Sequence, residues 1–348
     1  MTALAQFIHR RWWIAGASLA ALVFIAGAFA VAGAPRYAHR LTPIAISAKP
    51  IDAFDPSDKS RTRFGALEFR GGLVLASSYH AFGGISAIHV EPDGAHFLAL
   101  SDNGSWLKGR IVYRGGRPAG IADAEMAPIL AWDGKPLAAH GWFDSESLAD
   151  DRGTLYVGIE RVEKIVRFDY RRDGLAARGK PIPVPADFKT FTYNKSLECL
   201  AVPPEGAPHA GALVAVTERS LDAAGNHRSY VLDGRRVMRF SVKRRDDFDV
   251  SDCAFLPPDN LLLLERRYIP PLNLAIRIRR LRLADIKPGA LIDGPVLLMA
   301  DLNDEIDNME GLAVTRNARG ETILTLVSDD NFSPLQHNLL LQFALVGE

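Results

Sequence analysis

The sequence predicts an all-β fold: a β-propeller of five or six four-stranded blades, preceded by an N-terminal hydrophobic helix. Three observations lead to this prediction. Short apolar runs of the β type alternate with tight-turn signals, no long amphipathic helix follows the N-terminal segment, and a unit carrying two carboxylates recurs at a regular spacing. Many short, evenly spaced strands are typical of sandwiches, barrels and propellers. A repeat of about fifty residues favours a propeller.

The composition is that of a globular protein. Hydrophobic residues make up 48% of the 348 residues and charged residues 24%, which is ordinary for a folded domain. The 41 Lys and Arg residues balance the 41 Asp and Glu residues, so the chain has no excess of positive charge for nucleic acid. We therefore expect no nucleic-acid partner, and we expect a monomer.

Residues 1–35 form the first predicted segment. Arg10 and Arg11 precede an uncharged apolar run from Trp12 to Pro35, with small residues at its end. This is the order of an export signal, and the Arg-Arg pair is part of a twin-arginine pattern. The run is also long enough to span a bilayer, with the arginines on the cytoplasmic side. A cleaved signal and a transmembrane anchor both place the rest of the chain in the periplasm, and an anchor would tether it to the inner membrane.

The remaining chain divides into a predicted linker, residues 36–63, and a predicted propeller domain, residues 64–348. The linker, which includes an approach strand, is rich in Pro, Asp, Ser and Lys. Asp-Gly, Asn-Gly and Gly-Gly pairs separate the strands from Gly83 onward, and such pairs supply the positive φ angles of tight hairpins. The strands before Gly83 and after Ser328 either complete the last blade together or belong to a sixth blade.

The recurring unit has one acid near the start of an apolar strand, the first slot, and another after the next strand, the second slot. The first-slot acids, a little over fifty residues apart, are Glu146, Glu198, Asp252 and Glu310. The second-slot acids are Asp102, Glu160, Glu218, Glu265 and Asp329. The first copy has Ser86 in the first slot. Because equivalent positions of successive blades lie on one circle around the axis, each slot predicts a ring of carboxylates at one end of the channel.

Acids in such rings repel one another unless cations or arginines neutralise them. Oxygen donors without His or Cys ligands suit Ca²⁺ or Mg²⁺. Arginines directly follow three second-slot acids, at Arg161, Arg219 and Arg266. Two interpretations are open: a structural ring of salt bridges that holds the blades in register, or a mixed site in which cations activate water and arginines bind phosphate oxygens.

The two cysteines, Cys199 and Cys253, occupy the same place in successive repeats. In an oxidising compartment they could pair. The sequence favours the alternative, two small buried residues with free thiols, because free Cys is among the most buried residue types.

Several blocks of the sequence resemble one known family. They are residues 83–88 (GGISAI), 100–104 (LSDNG), 144–149 (DSESLA), 197–202 (LECLAV), 261–267 (LLLLERR), 308–314 (NMEGLAV) and 327–332 (VSDDNF). From about Phe64 to Leu345 the chain is similar to the exported bacterial phytase-like proteins of the "esterase-like activity of phytase" family, most specifically over residues 310–332. The chain departs from its own last repeat, which has Gly311, at Ser147, Cys199 and Cys253.

The resemblance implies a propeller whose Glu and Asp residues hydrolyse a small phosphorylated substrate, with calcium. The predicted catalytic residues, as general acid/base or metal ligands, are Glu146, Glu198 and Glu310. The predicted metal ligands are Asp102, Glu160, Glu218, Asp252, Glu265 and Asp329. The predicted phosphate-binding residues are Arg161, Arg219 and Arg266. The alternative, from a different class, is a non-catalytic periplasmic binding or scaffolding propeller with a structural charged ring.

Overall fold

A computed structural model of the chain describes residues 36–270 and 273–346. The predicted signal or anchor, residues 1–35, lies outside the described residues. Within them, no helix is both long and apolar enough to cross a membrane. Their helices are short: one α-helix, Tyr170–Asp173, and the 3₁₀-helices Leu137–His140, Gly174–Ala176, Ala186–Thr190 and Leu283–Asp285.

Short strands make up most of the remaining described structure. In chain order they are β1 (Thr42–Pro43), β2 (Ser47–Ile51), β3 (Arg63–Phe64), β4 (Leu67–Ala76), β5 (Ile85–Val90), β6 (His96–Ser101), β7 (Ser105–Arg114), β8 (Arg117–Pro128), β9 (Ser145–Asp151), β10 (Thr154–Ile159), β11 (Lys164–Asp169), β12 (Lys180–Pro181), β13 (Leu197–Ala201), β14 (Leu213–Leu221), β15 (His227–Asp233), β16 (Arg236–Val242), β17 (Asp249–Leu256), β18 (Asn260–Ile269), β19 (Asn273–Arg282), β20 (Leu291–Ile292), β21 (Val296–Asp301), β22 (Asn308–Arg316), β23 (Thr322–Asp329) and β24 (Asn338–Leu345).

These strands form five sheets, which are the five blades of a propeller. From the axis outward the blades are β5-β6-β7-β8-β1, β9-β10-β11-β12, β13-β14-β15-β16-β20, β17-β18-β19-β21 and β22-β23-β24-β4-β2, with β3 paired to β4. Their pairing is antiparallel except for the parallel pair β16–β20. The inner strands β5, β9, β13, β17 and β22 contact one another in a closed ring. The predicted all-β propeller is confirmed, with five blades.

Blade five closes the ring by joining the two ends of the described chain. Strand β4 from the N-terminal part pairs with β24 from the C-terminal part, and β2 pairs with β4. This arrangement is the first of the two predicted alternatives, and the prediction of a sixth blade is wrong. Residues 36–63, predicted as a linker with an approach strand, contribute β1 to blade one and β2 to blade five.

Apolar side chains fill the spaces between neighbouring blades. Leu262 and Ile276 of blade four are buried together with Leu312 and Leu326 of blade five. Between blades one and two, the rings of Trp106 and Phe168 pack edge to face with their centroids 5.5 Å apart. Each blade therefore buries its faces only against its neighbours, as repeat folds do.

A disulfide joins the inner strands of blades three and four. It links Cys199 of β13 to Cys253 of β17, so the preference for free thiols is wrong. The sequence does not fix the distance between neighbouring inner strands. In the closed ring the two Cα atoms are 5.0 Å apart, within the range that a disulfide spans.

Candidate functional site

Each inner strand contains one β-bulge near its start. The pairing with the second strand of the blade skips one residue there, and these extra residues are Ser86, Glu146, Glu198, Ser251 and Glu310. A bulge changes the direction of a side chain, and bulges are common beside active sites. We call these five residues the first ring.

The second ring follows from the same register. The residue before each bulge pairs with the second strand at Ser101, Ile159, Thr217, Glu265 and Ser328. The residues directly after these partners occupy equivalent positions in the five blades. They are Asp102, Glu160, Glu218, Arg266 and Asp329, and we call them the second ring. Four carboxylates and one guanidinium thus share this ring.

Blade four therefore departs from the predicted repeat by one residue. Ser251 and Arg266 hold the ring positions that the repeat pattern assigns to Asp252 and Glu265. Because side chains alternate between the faces of a strand, a slip of one residue turns both acids away from the rings. The predicted equivalence of these two acids to Glu198 and Glu218 is corrected accordingly.

Both displaced acids have structural partners. Asp252 accepts hydrogen bonds from the backbone N–H groups of Cys253 (2.7 Å) and Leu312 (2.6 Å), which ties blade four to blade five. Glu265 is fully buried between two buried arginines. It accepts hydrogen bonds of 2.7 and 3.2 Å from Arg277 and two of 2.6 Å from Arg279.

The structure brings the three predicted catalytic glutamates together. Carboxylate oxygens of Glu146, Glu198 and Glu310 lie within 4.8 Å of one another, as do those of Glu160, Glu198 and Glu218. All five side chains are buried. Glu198 belongs to both triads, so it is the residue on which the two carboxylate clusters meet.

Some carboxylate oxygens of the two rings have no hydrogen-bond partner among the described residues. They include Oε2 of Glu198 and Oδ1 of Asp102, both buried. Buried polar atoms are normally satisfied by protein, water or an ion. The orphaned oxygen of Glu198, at the meeting point of two acid triads, fits a bound cation. Because the donors are all carboxylate oxygens, they suit a hard divalent ion such as Ca²⁺.

The environment of the ring acids disfavours their ionised form when no cation is bound. Burial and then repulsion from neighbouring acids raise the pKa of Asp102 to about 8. Burial raises the pKa of Glu160 to about 8, although the backbone N–H of Ser196 (2.7 Å) lowers it in part. The same two causes raise the pKa well above the ordinary range at Glu146, Glu198 and Asp329. Without a cation, burial and mutual repulsion therefore favour the protonated form of these five acids.

Only one of the three predicted phosphate-binding arginines contacts the acid triads. Arg266 donates to Oε1 of Glu310 (2.6 Å) and lies 3.5 Å from Glu218. Burial lowers the pKa of Arg266, but Glu310, Glu218 and other acids raise it more, so the guanidinium stays protonated.

The other two arginines have different partners. Arg161 lies 2.5 Å from Asp144 and bonds Asn194 (2.8 Å). Arg219 donates through Nε to Asp249 (2.7 Å).

Sequence analysis missed three residues of the site. Asp144 is buried beside the first ring, and burial raises its pKa. Asn308 donates to Glu310 (2.8 Å), and the Lys195 ammonium lies 2.8 Å from Glu218. Asp144 and Asn308 stand two residues before a bulged glutamate. A polar residue two positions before the first-slot acid recurs in these two blades, so it was a usable signal.

Two cavities lie at opposite ends of the inner strands. A cavity of about 690 Å³ opens beside the second ring, where Lys195, Glu218 and Arg266 are among its lining residues. At the opposite end of the inner strands, a cavity of about 250 Å³ is lined mainly by apolar residues of all five blades, among them Val90, Leu148, Leu200, Ala254 and Val314. One end of the channel is therefore charged and the other apolar.

Comparisons with known proteins gave one family and several distant folds. The family described as "Esterase-like activity of phytase" matches residues 80–332. A search of curated proteins gave no match.

Similar solved structures include a nidogen/laminin complex (12% identity, 76% of this chain and 87% of that chain, TM-score 0.39). They also include a glutaminyl cyclase from Myxococcus xanthus (12%, 76% and 97%, 0.37) and a PQQ-bound aldose sugar dehydrogenase from Streptomyces coelicolor (13%, 87% and 100%, 0.41). These three likenesses do not bear on function.

Proposed function

The chain belongs to the phytase-like family, esterase-like activity of phytase, and from that premise we propose that it is an exported, cation-assisted phosphoester hydrolase. One observation carries the proposal: a buried oxygen of Glu198 that has no hydrogen-bond partner within residues 36–270 and 273–346 lies where two carboxylate triads meet. In a purely structural ring this oxygen would need a proton or an ordered water instead, since an unsatisfied buried carboxylate is costly.

The two triads define where a cation would be held. Glu146, Glu198 and Glu310 provide one set of oxygens, and Glu160, Glu198 and Glu218 provide the other. A bound Ca²⁺ would polarise a phosphoryl oxygen and lower the pKa of a bound water. Arg266 lies between Glu310 and Glu218, so its guanidinium can hold a phosphoryl oxygen beside the same carboxylates.

The reaction needs one proton acceptor and one proton donor. The oxygen of a water attacks phosphorus, a carboxylate takes the proton of that water, and the P–O bond to the alcohol breaks. The alcohol oxygen then takes a proton from a carboxylic acid. Glu310, held by Arg266 and Asn308, is placed to be the acceptor. Glu146, whose pKa burial raises well above its ordinary value, would be the donor when Glu160, Glu198 and Glu218 hold the cation.

The location of the protein is part of this proposal. A disulfide suits an oxidising compartment, and residues 1–35 read as a signal or anchor. We place the propeller in the periplasm, tethered to the inner membrane if the segment is retained.

A second candidate is a non-catalytic binding or scaffolding propeller. The observation in its favour is that blade four uses two buried acids, Asp252 and Glu265, only to hold strands and arginines. In that case the rings would bind a cation for stability and perform no chemistry.

The test is phosphate release by the purified full chain. We expect hydrolysis of p-nitrophenyl phosphate with Ca²⁺ and none with a chelator. Glu198→Gln and Glu310→Gln should each lower the rate about 100-fold or more, as loss of an acid/base group does. Glu205→Gln, at an exposed acid away from the rings, is the matched control. Full activity in both ring variants would remove the assigned roles, and a folded, calcium-stabilised but inactive wild type would favour the second candidate.

A further inference from the structure

The cavity of about 690 Å³ beside the second ring has two chemically different parts. Its inner part is polar and includes Arg266 and Lys195, which both contact acids of the ring. Its outer part is apolar and includes Tyr268, Leu302 and Leu335. A ligand that fills this cavity must therefore be polar at one end and apolar at the other.

The inner part can hold one phosphoryl group next to the triads. The Arg266 side chain is 22% exposed and that of Lys195 is 33% exposed, while Glu218 between them is buried. Both cations thus face the cavity and the ring at once. A phosphoryl group bound by them would lie beside Glu218 of the second triad, and Arg266 connects this position to Glu310.

The charge of the cavity limits the number of phosphates. Its cationic lining residues, Lys195, Arg219 and Arg266, are matched in number by the acids Glu218, Asp249 and Asp307. A substrate with many phosphates would place its additional groups against carboxylates, and like charges in contact oppose binding.

The outer part is formed by three separate segments. Tyr268 lies on β18, Leu302 follows β21, and Leu335 lies between β23 and β24. Their side chains are 57%, 48% and 87% exposed. Tyr268 is two residues from Arg266 on the same strand, so both project from one face of the sheet. The apolar wall therefore begins directly beside the phosphoryl-binding cation.

We propose that the substrate is a phosphomonoester with a single phosphoryl group and an apolar alkyl or aryl leaving group. The phosphoryl group binds Arg266 and Lys195, and the leaving group lies against Leu302 and Leu335. This inference rests on the proposed hydrolysis for its chemistry, but the binding site itself can be tested separately.

The first experiment compares phosphomonoesters of increasing chain length, from methyl to hexyl, with the full chain and Ca²⁺. We expect kcat/KM to rise about fourfold per methylene until the cavity is filled, which is the transfer free energy of a buried CH₂. Inositol hexakisphosphate should be a poorer substrate than hexyl phosphate. Leu302→Asn and Leu335→Asn should each flatten the series. The control Leu291→Asn, an equally exposed leucine that does not line this cavity, should leave it unchanged.

The second experiment measures calorimetric binding of methyl- to hexylphosphonate, which cannot be hydrolysed. Tighter binding of the longer compounds without hydrolysis of any ester would support the amphiphilic site and overturn the proposed hydrolase. Hydrolysis without preference for chain length, or a preference for inositol hexakisphosphate, would overturn the amphiphilic site and leave the hydrolase standing. Neither binding nor hydrolysis would overturn both.

Discussion

Glu198 and Glu265 are buried carboxylates of neighbouring blades with opposite surroundings. Glu265 receives four hydrogen bonds from Arg277 and Arg279. Glu198 has a buried oxygen that finds no hydrogen-bond partner in the described part of the chain, and it lies among four other glutamates. The first is neutralised by the fold itself. The second is left in an acid cluster that protons or a cation must neutralise.

The difference arises from one residue of strand register. In blade four the slip removes two acids from the rings and puts Ser251 and Arg266 in their places. The rings therefore have an asymmetric charge, with acids on blades one, two, three and five and the cation Arg266 on blade four. An asymmetric ring can orient a phosphoryl group toward Arg266, whereas a ring of identical acids could not. The predictions below test this division between structural and ligand-binding acids.

The largest expected effect on stability is at Glu265. Glu265→Gln removes the buried carboxylate that Arg277 and Arg279 share and leaves them only Asp246 (3.2 Å) and Asp293 (2.7 Å). Breaking a buried ion pair costs about 3–5 kcal/mol. Urea denaturation should show this loss, while the rise in melting temperature caused by Ca²⁺ should persist. The proposed division between structural and ligand-binding acids would be wrong if Glu265→Gln abolished the calcium-induced rise in melting temperature without lowering stability.

The disulfide separates stability from ligand binding in a second way. Cys199 and Cys253 are 54 residues apart in sequence, and closing a loop of that length is worth about 4 kcal/mol in the chain-entropy account. The double variant Cys199→Ala/Cys253→Ala should lose about 2–4 kcal/mol in denaturation. Its calcium affinity should stay within about threefold of wild type, since neither sulfur contacts a ring acid. A loss of calcium binding equal to that of Glu198→Gln would show that the rings depend on this link.

The fold was predictable because its signals are local. Turn dipeptides and apolar runs mark the strands, and a repeat of about fifty residues marks the blades. The recurrence of acids also predicted that Glu146, Glu198 and Glu310, far apart in sequence, lie together. Such patterns follow from strand geometry, which repeats in every blade.

The parts that sequence reasoning missed depend on register and on distances between blades. The pattern in blade four aligns Cys253 with Cys199, and this alignment hides the bulge at Ser251. Nothing local in the sequence decides between two registers that differ by one residue, although each side chain then changes face. The partners of Arg161 and Arg219 were also missed, because Asp144 and Asp249 come from other strands or loops, and the sequence does not give the distances between such segments.

The pH dependence of stability sharpens the comparison. The pKa of Asp102 and of Glu160 is raised to about 8 in the folded protein from ordinary values of 3.8 and 4.5. A raised carboxyl pKa contributes stability that is complete below about pH 4 and is lost as pH rises to about 8, at up to about 1.4 kcal/mol per pH unit for each group. With a chelator, the free energy of unfolding should therefore fall with pH. With Ca²⁺ the fall should be smaller, because the cation favours the ionised acids.

Two groups outside the rings limit the pH range in which the urea measurement reports on the ring acids. Buried His227, whose pKa burial lowers, makes stability rise with pH up to about its ordinary 6.5, so it opposes the expected fall. Asp55, whose pKa is lowered to about 2 by hydrogen bonds led by that from Ser57, acts below pH 4. Urea midpoints at pH 6.5, 7.25 and 8 avoid both of these groups, and the difference between chelator and Ca²⁺ at each pH separates the rings from Asp252, whose pKa burial also raises. Stability that is flat or rising there without Ca²⁺ would contradict the protonated rings.

The smallest expected effect is at Ser251, which holds a first-ring position without a charge. Its hydroxyl donates to the carbonyl of Met309 at 3.0 Å, and a net hydrogen bond is worth about 1 kcal/mol. Ser251→Ala should cost about that much in urea denaturation and leave calcium affinity unchanged, since the serine joins blade four to blade five but supplies no ligand. Ser47→Ala, which removes an exposed hydroxyl bonded to Ala76 at 3.1 Å, should cost less. If Ser251→Ala weakened calcium binding as strongly as Glu198→Gln, the hydroxyl would be a ligand, and the first ring would bind the cation through Ser251 as well as through its glutamates.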